Sequence, residues 1–227
     1  MARDKLKKVT SPRGIAAPYP KLITPDEYEG DHAFKCGLIL DPADEGVQAF
    51  VDMLKNEAQT AFDTGMADLK AQLADAKGAK IAKLKETIAN MELFLPYAKS
   101  YNDDGTEDGR YVVNFKRKAQ GQYPDGKAWV HNLPVFDAKK KPLAEGVDIW
   151  GGSVLRLQTE LMPWFQAGLK KGGVSCRLFA VQVIELESGS ADSSDGFDVE
   201  DGYESAEMAA APAQVESQED TADVEDF

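Results

Sequence analysis

The last 41 residues, Glu187 to Phe227, contain 14 Asp and Glu and no Lys or Arg. A stretch built from acid, Ser, Gly and Ala buries too little apolar area to offset the entropy of ordering it, about 1–2 kcal/mol per residue. It takes no part in a core. The chain is therefore expected to be one domain over residues 1–187 followed by a disordered acidic tail over 188–227. Removing the tail also changes how the charge reads. The 227-residue chain carries a formal net charge of −13, yet positions 1–186 hold 26 basic and 25 acidic residues, a net of +1. Residues 41–110 carry −6 and residues 111–186 carry +5. Such a distribution gives the second half of the body a surface that favours an anionic ligand.

Prolines at 12, 18, 20 and 25 exclude a helix from the first 30 residues and favour an extended, edge-like path. Ala33 to Leu40 reads as a strand. Asp44 is placed to cap a helix whose apolar positions are Val47, Phe50, Val51, Leu54 and Ala58. A second helical pattern runs through Leu69 and Leu73 and then Ile81, Leu84, Ile88, Met91 and Leu95, with Gly65 and Gly78 as interruptions and Pro96 as its stop. After Asn102–Gly105 the texture turns to strands. These are Tyr111–Lys118, a Tyr123–Gly126 turn with Ala128–Val135 pairing back, a strand from Gly151-Gly152, and Val174–Leu186 after a Pro163–Gly173 loop. The expected architecture is mainly β, a small barrel or sandwich with a helical insertion at about 43–97.

Little in the sequence points to catalysis, and no cofactor or metal is expected. His32 and His131 are far apart, and no Cys or His pair has zinc spacing. Cys36 and Cys176 each lie in an apolar run and read as buried small hydrophobes. Gly121 to Lys127 spells GxxxxGK, but Ala128 stands where a phosphate-binding loop needs a hydroxyl, and a strand follows where it needs a helix. No apolar run approaches the roughly 18 residues of a membrane span, and no secretory signal opens the chain. The expectation is a non-enzymatic protein with no membrane partner.

The strands instead interleave aromatics with cations. In Tyr111–Lys118, Lys116 and Lys118 share one face while Phe115 and Arg117 share the other. Trp129 follows, Arg156 lies on the polar face of the next strand, Trp164 and Phe165 come after Pro163, and Lys170 and Lys171 follow them. Arg177 and Phe179 share a face of the last strand. Aromatic platforms and cations together suit single-stranded nucleic acid, because stacking contributes about 1–3 kcal/mol per base whatever the sequence. The alternative is an acidic interaction or scaffolding protein that does not itself bind DNA, which the −13 favours and the +5 of residues 111–186 opposes.

Several short segments, in this order, resemble the acidic-tailed single-stranded DNA-binding proteins of T-odd-type bacteriophages. They are Pro18-Tyr19, Phe115-Lys116, Gly151-Gly152-Ser153, Leu155-Arg156-Leu157, Leu161-Met162-Pro163-Trp164, Val183-Ile184-Glu185-Leu186 and the terminal Asp226-Phe227. The resemblance implies an OB-fold-like five-stranded barrel with a helix between its strands, acting in phage DNA replication in the cytoplasm of an infected bacterial host. It also implies DNA contacts by Trp164 and Arg156. The expected stacking residues are Trp164, with Phe115 and Trp129 behind it. The expected phosphate contacts are Lys116, Lys118 and Arg156, followed by Lys170 and Lys171. The resemblance further gives the tail a role: its charges compete with DNA for the basic surface, and Glu225, Asp226 and Phe227 recruit polymerase or helicase–primase. Duplex DNA and a second copy of the chain stay open as further partners.

Overall fold

The computed structural model describes residues 6–102 and 104–187, so the tail with Glu225, Asp226 and Phe227 lies outside the described residues. Four strands open the chain: β1 (Lys8–Thr10), β2 (Gly14–Ala16), β3 (Lys21–Tyr28) and β4 (Asp31–Leu40). Helices α1 (Val47–Ala74) and α2 (Ala79–Ala89) follow. Next come β5 (Glu92–Phe94), β6 (Tyr97–Tyr101), β7 (Glu107–Lys118), β8 (Gln120–Gln122), β9 (Ala128–Val130) and β10 (Val135–Phe136). The long strands β11 (Val154–Gln166) and β12 (Lys171–Glu185) complete the described chain.

Five of these strands pair in a circuit. β2 pairs with β4, β4 with β7, β7 with β12, β12 with β11, and β11 with β2. The helices lie between β4 and β7 in sequence. This is the expected OB-like, mainly β architecture. Alternation supplies the core: Leu38, Leu40, Val113, Phe115, Leu155, Leu157 and Leu178 all point inward and are buried. Helix α1 packs onto this core through Val47, Phe50, Val51, Leu54 and Ala58, the apolar positions its spacing predicts. Pro25 falls where β3 loses register with β4, between Lys21 and Asp26, so its missing N–H breaks no ladder there.

The structure corrects several sequence expectations. Gly46, in a left-handed conformation at φ 79°, precedes α1, and no side chain caps it; Asp44 contributes only its backbone carbonyl, 3.3 Å from the Val47 N–H. Gly65 does not interrupt the helix. A Cβ there would lie 2.2 Å from the Phe165 ring, so the glycine lets that ring press against the helix. The second helix stops at Ala89 rather than Pro96, because Glu92–Phe94 pairs in parallel with Lys171–Gly173. Trp164 and Phe165 do not sit in a loop. They end β11, paired with Gly173 and Gly172, and a tight turn at Ala167–Lys170 closes the hairpin. The Leu161 N–H points away from β12 to the Lys7 carbonyl. Pro163, two residues on, faces the same way beyond the end of β1, where no donor is needed.

The segment after β7 also departs from expectation. The hairpin about Tyr123–Gly126 forms but is short: Ala128–Val130 pairs back on Gln120–Gln122 as a separate two-stranded ribbon rather than on Tyr111–Lys118, and Val135–Phe136 runs parallel to β12. The GxxxxGK stretch spans this ribbon and its turn. Cys36 and Cys176 register with Phe115 from its two sides, so two strand spacings, roughly 10 Å, separate them. That exceeds the reach of a disulfide. Both are free and buried, and burial pushes each thiol up to about 12.

Candidate nucleic-acid interface

The outward faces of β7, β12 and β11 lie side by side. Because inward positions are mostly apolar along all three, the polar residues of each strand project together into one groove of about 840 Å³. β7 contributes Asn114, Lys116 and Lys118, β12 contributes Ser175, Arg177 and Phe179, and β11 contributes Glu160 and Met162. Arg117, Trp129 and His131 line it as well, and Phe94 stands at its edge.

Each aromatic is held in place by a local device. A Cβ on Gly121 would lie 2.5 Å from the Trp129 indole, so this glycine is what lets Trp129 lie flat on the ribbon. The indole also meets His131, with ring centroids 4.6 Å apart. Trp164 and Phe94 register with Gly173 from opposite sides, and their rings meet over it at 5.2 Å. Any side chain on Gly173 would strike the Phe94 backbone, since its Cβ would come within 2.1 Å of that carbonyl oxygen. Lys8 lies 3.5 Å from the centre of the Phe179 ring, close enough for a cation–π contact.

The groove is electropositive, with one carboxylate inside it. Glu160 accepts hydrogen bonds from Arg177, 2.9 Å from its Nε, and Lys8 Nζ lies 3.5 Å away. Burial works against ionising Glu160, but Arg177 and then Lys8 prevail and hold it below the usual carboxylate range. His131 is pushed down by burial and by Arg117 and Arg177, which favours its neutral form. Burial and the neighbouring Arg177 also lower Arg117.

Of the residues selected from sequence, Lys116, Lys118 and Trp129 meet in this groove, Lys118 with a second contact to Asp31 at 3.0 Å. Trp164, half-buried, stands on the same outward face of β11 as Met162 and Glu160 and adjoins the groove through Phe94. Phe115 is a correction. It is 1% exposed and packed between the two cysteine strands, so it is a core residue with no face free for a base. Arg156 faces outward at the other end of β11, where it lines a separate cleft with Lys140 and Gln158, and its Nε lies 3.3 Å from the Ser11 carbonyl. Lys170 and Lys171 sit at the hairpin turn near Glu86 and Glu92, at 3.5 and 3.9 Å, and outside the groove. Sequence reasoning did not select Phe94 or His131. The spacing of His131, two residues after Trp129, was a usable signal; the pairing of Phe94 with Gly173 joins segments too distant for any local one.

Comparison with known proteins bears on the chain as a whole. The chain is 29% identical to the single-stranded DNA-binding protein of Enterobacteria phage T3 over 231 residues, which covers 97% of this chain and 95% of the relative. It is also 29% identical to the Escherichia phage T7 protein of the same name, over 90% of this chain and 88% of the relative. Its fold matches the crystal structure of gp2.5, a single-stranded DNA-binding protein encoded by bacteriophage T7. The TM-score is 0.64 at 24% identity, over 85% of this chain and 98% of that one. The model of the family described as single-stranded DNA-binding protein, bacteriophage T7, matches residues 13–186, and the chain belongs to that family.

Proposed function

We propose that this protein binds single-stranded DNA without regard to sequence and coats exposed template during phage replication. The observation that carries this reading is the convergence of Lys116, Lys118, Arg117 and Arg177 with Trp129 in one groove, bordered by Phe94 and Trp164. Cations there hold the phosphates, while the indole faces accept any base. The protein works by binding rather than turnover, in the cytoplasm of the infected host. Its acidic tail competes with phosphates for the same cations. When DNA takes the groove, Glu225, Asp226 and Phe227 are released to engage replication enzymes.

A salt titration of a labelled oligothymidine tests the DNA reading. Affinity should fall with salt by roughly 0.7 log units per log unit for each phosphate neutralised, and tryptophan emission should be quenched on binding. Absence of binding at low salt would favour the acidic-scaffold alternative.

A further inference from the structure

Six outward-facing residues on six neighbouring strands fall in one cross-strand row. Lys21 registers with Lys35, Lys35 with Lys116, Lys116 with Arg177, Arg177 with Glu160, and Glu160 with Lys8. Five are cations. Like charges directly opposite one another on neighbouring strands destabilise a sheet, so the run Lys21–Lys35–Lys116–Arg177 is not explained by stability. The groove takes in only its middle, from Lys116 to Glu160.

We propose that the whole row is a phosphate track. On this view a bound strand crosses the sheet at right angles to its strands and continues past the groove onto Lys35 and Lys21 of the β3–β4 pair. This rests on the single-stranded DNA reading above. Five strand spacings of about 4.8 Å make the row about 24 Å long. That spans about seven phosphates at the 3.4 Å spacing of a stacked strand, within the 4–16 nucleotides an OB fold covers. Two carboxylates occupy phosphate positions in the free protein. Glu160 holds Arg177, and Asp26 lies 2.5 Å from Lys35 Nζ. Lys35 in turn draws the Asp26 carboxyl below its ordinary value, the response expected of an anion seated on a cation. DNA binding exchanges these carboxylates for phosphates.

The test uses the full chain and oligothymidines of about 3 and about 20 residues, the shorter spanning only the roughly 10 Å from Lys116 to Glu160 that the groove takes in. The double variant Lys21→Gln/Lys35→Gln should lower the salt slope on the long oligomer by about 1.4, two phosphates' worth, and leave the short one unchanged. Its melting temperature should change little, because relief of the like-charge pair offsets loss of the exposed Asp26–Lys35 ion pair. Asp26→Asn should tighten the long oligomer alone. If the double variant keeps the wild-type slope on the long oligomer while Trp129→Ala weakens both, the track is wrong and the groove stands. If the wild-type protein binds neither oligomer, the DNA reading itself fails.

Discussion

Trp129 and Phe115 look alike in sequence, each an aromatic in a short run of strand with a lysine within two residues, and the structure gives them opposite surroundings. Trp129 lies half-exposed over Gly121 and His131, whereas Phe115 is sealed between Cys36 and Cys176. Truncation should separate the two. Trp129→Ala should weaken oligothymidine binding by about 5- to 150-fold, the equivalent of about 1–3 kcal/mol for a lost stack, with the thermal melt unchanged. Phe115→Ala should destabilise the fold by about 3–5 kcal/mol in urea unfolding. A binding defect in Phe115→Ala without loss of stability would contradict its place in the core. The distinction was partly legible, because alternation puts Lys116 and Lys118 on one face and Phe115 with Val113 on the other. Arg117 masked it by standing on the apolar face at the strand's end. Nothing local marks Trp129 as accessible, since that depends on an absent Cβ across the ribbon.

At the scale of elements, the apolar spacing of α1 and the alternation of β11 were readable, and their ends were not. A helix continues through Gly65 because Phe165, a hundred residues later, needs the space above it. In an open helix Gly→Ala would stabilise by about 1 kcal/mol. Here a Cβ would lie 2.2 Å from the ring, and overpacking costs about 1–3 kcal/mol. Gly65→Ala should therefore lower the melting temperature; an increase would mean that the helix and β11 separate easily. The β11–β12 hairpin carries a pH dependence of its own. Glu160, 14% exposed at its side chain, has its folded pKa held down by Arg177 and Lys8 against the opposing effect of burial. A carboxyl depressed in this way contributes stability that is complete above its unfolded pKa and fades as pH falls through the folded value. Urea midpoints should therefore drop less between neutral and acid pH in Glu160→Gln than in the parent. Equal drops would show that the ion pair contributes nothing to folding.

At the scale of the molecule, charge was the most legible property and strand order the least. The change of sign between residues 41–110 and 111–186 pointed to the half that supplies most of the groove. No short-range pattern encodes that β7 lies in parallel beside β12 or that β11 returns to β2, because those pairings join segments tens of residues apart. The competition proposed for the tail draws on the same charge division. In that proposal, fourteen acidic residues covalently joined to a body of net +1 compete at a fixed effective concentration whatever the bulk concentration. Tail and DNA are both polyanions seeking the same cations, so salt screens both contests. A chain ended at residue 187 should consequently bind oligothymidine more tightly than the full chain at low salt, and the two should converge as salt rises. A separate peptide of residues 188–227, added at a concentration equal to the protein's, should leave the shortened chain's affinity unchanged, since it lacks the tether. Equal affinities of the two chains at low salt would remove competition as the tail's role, while leaving DNA binding by the groove intact.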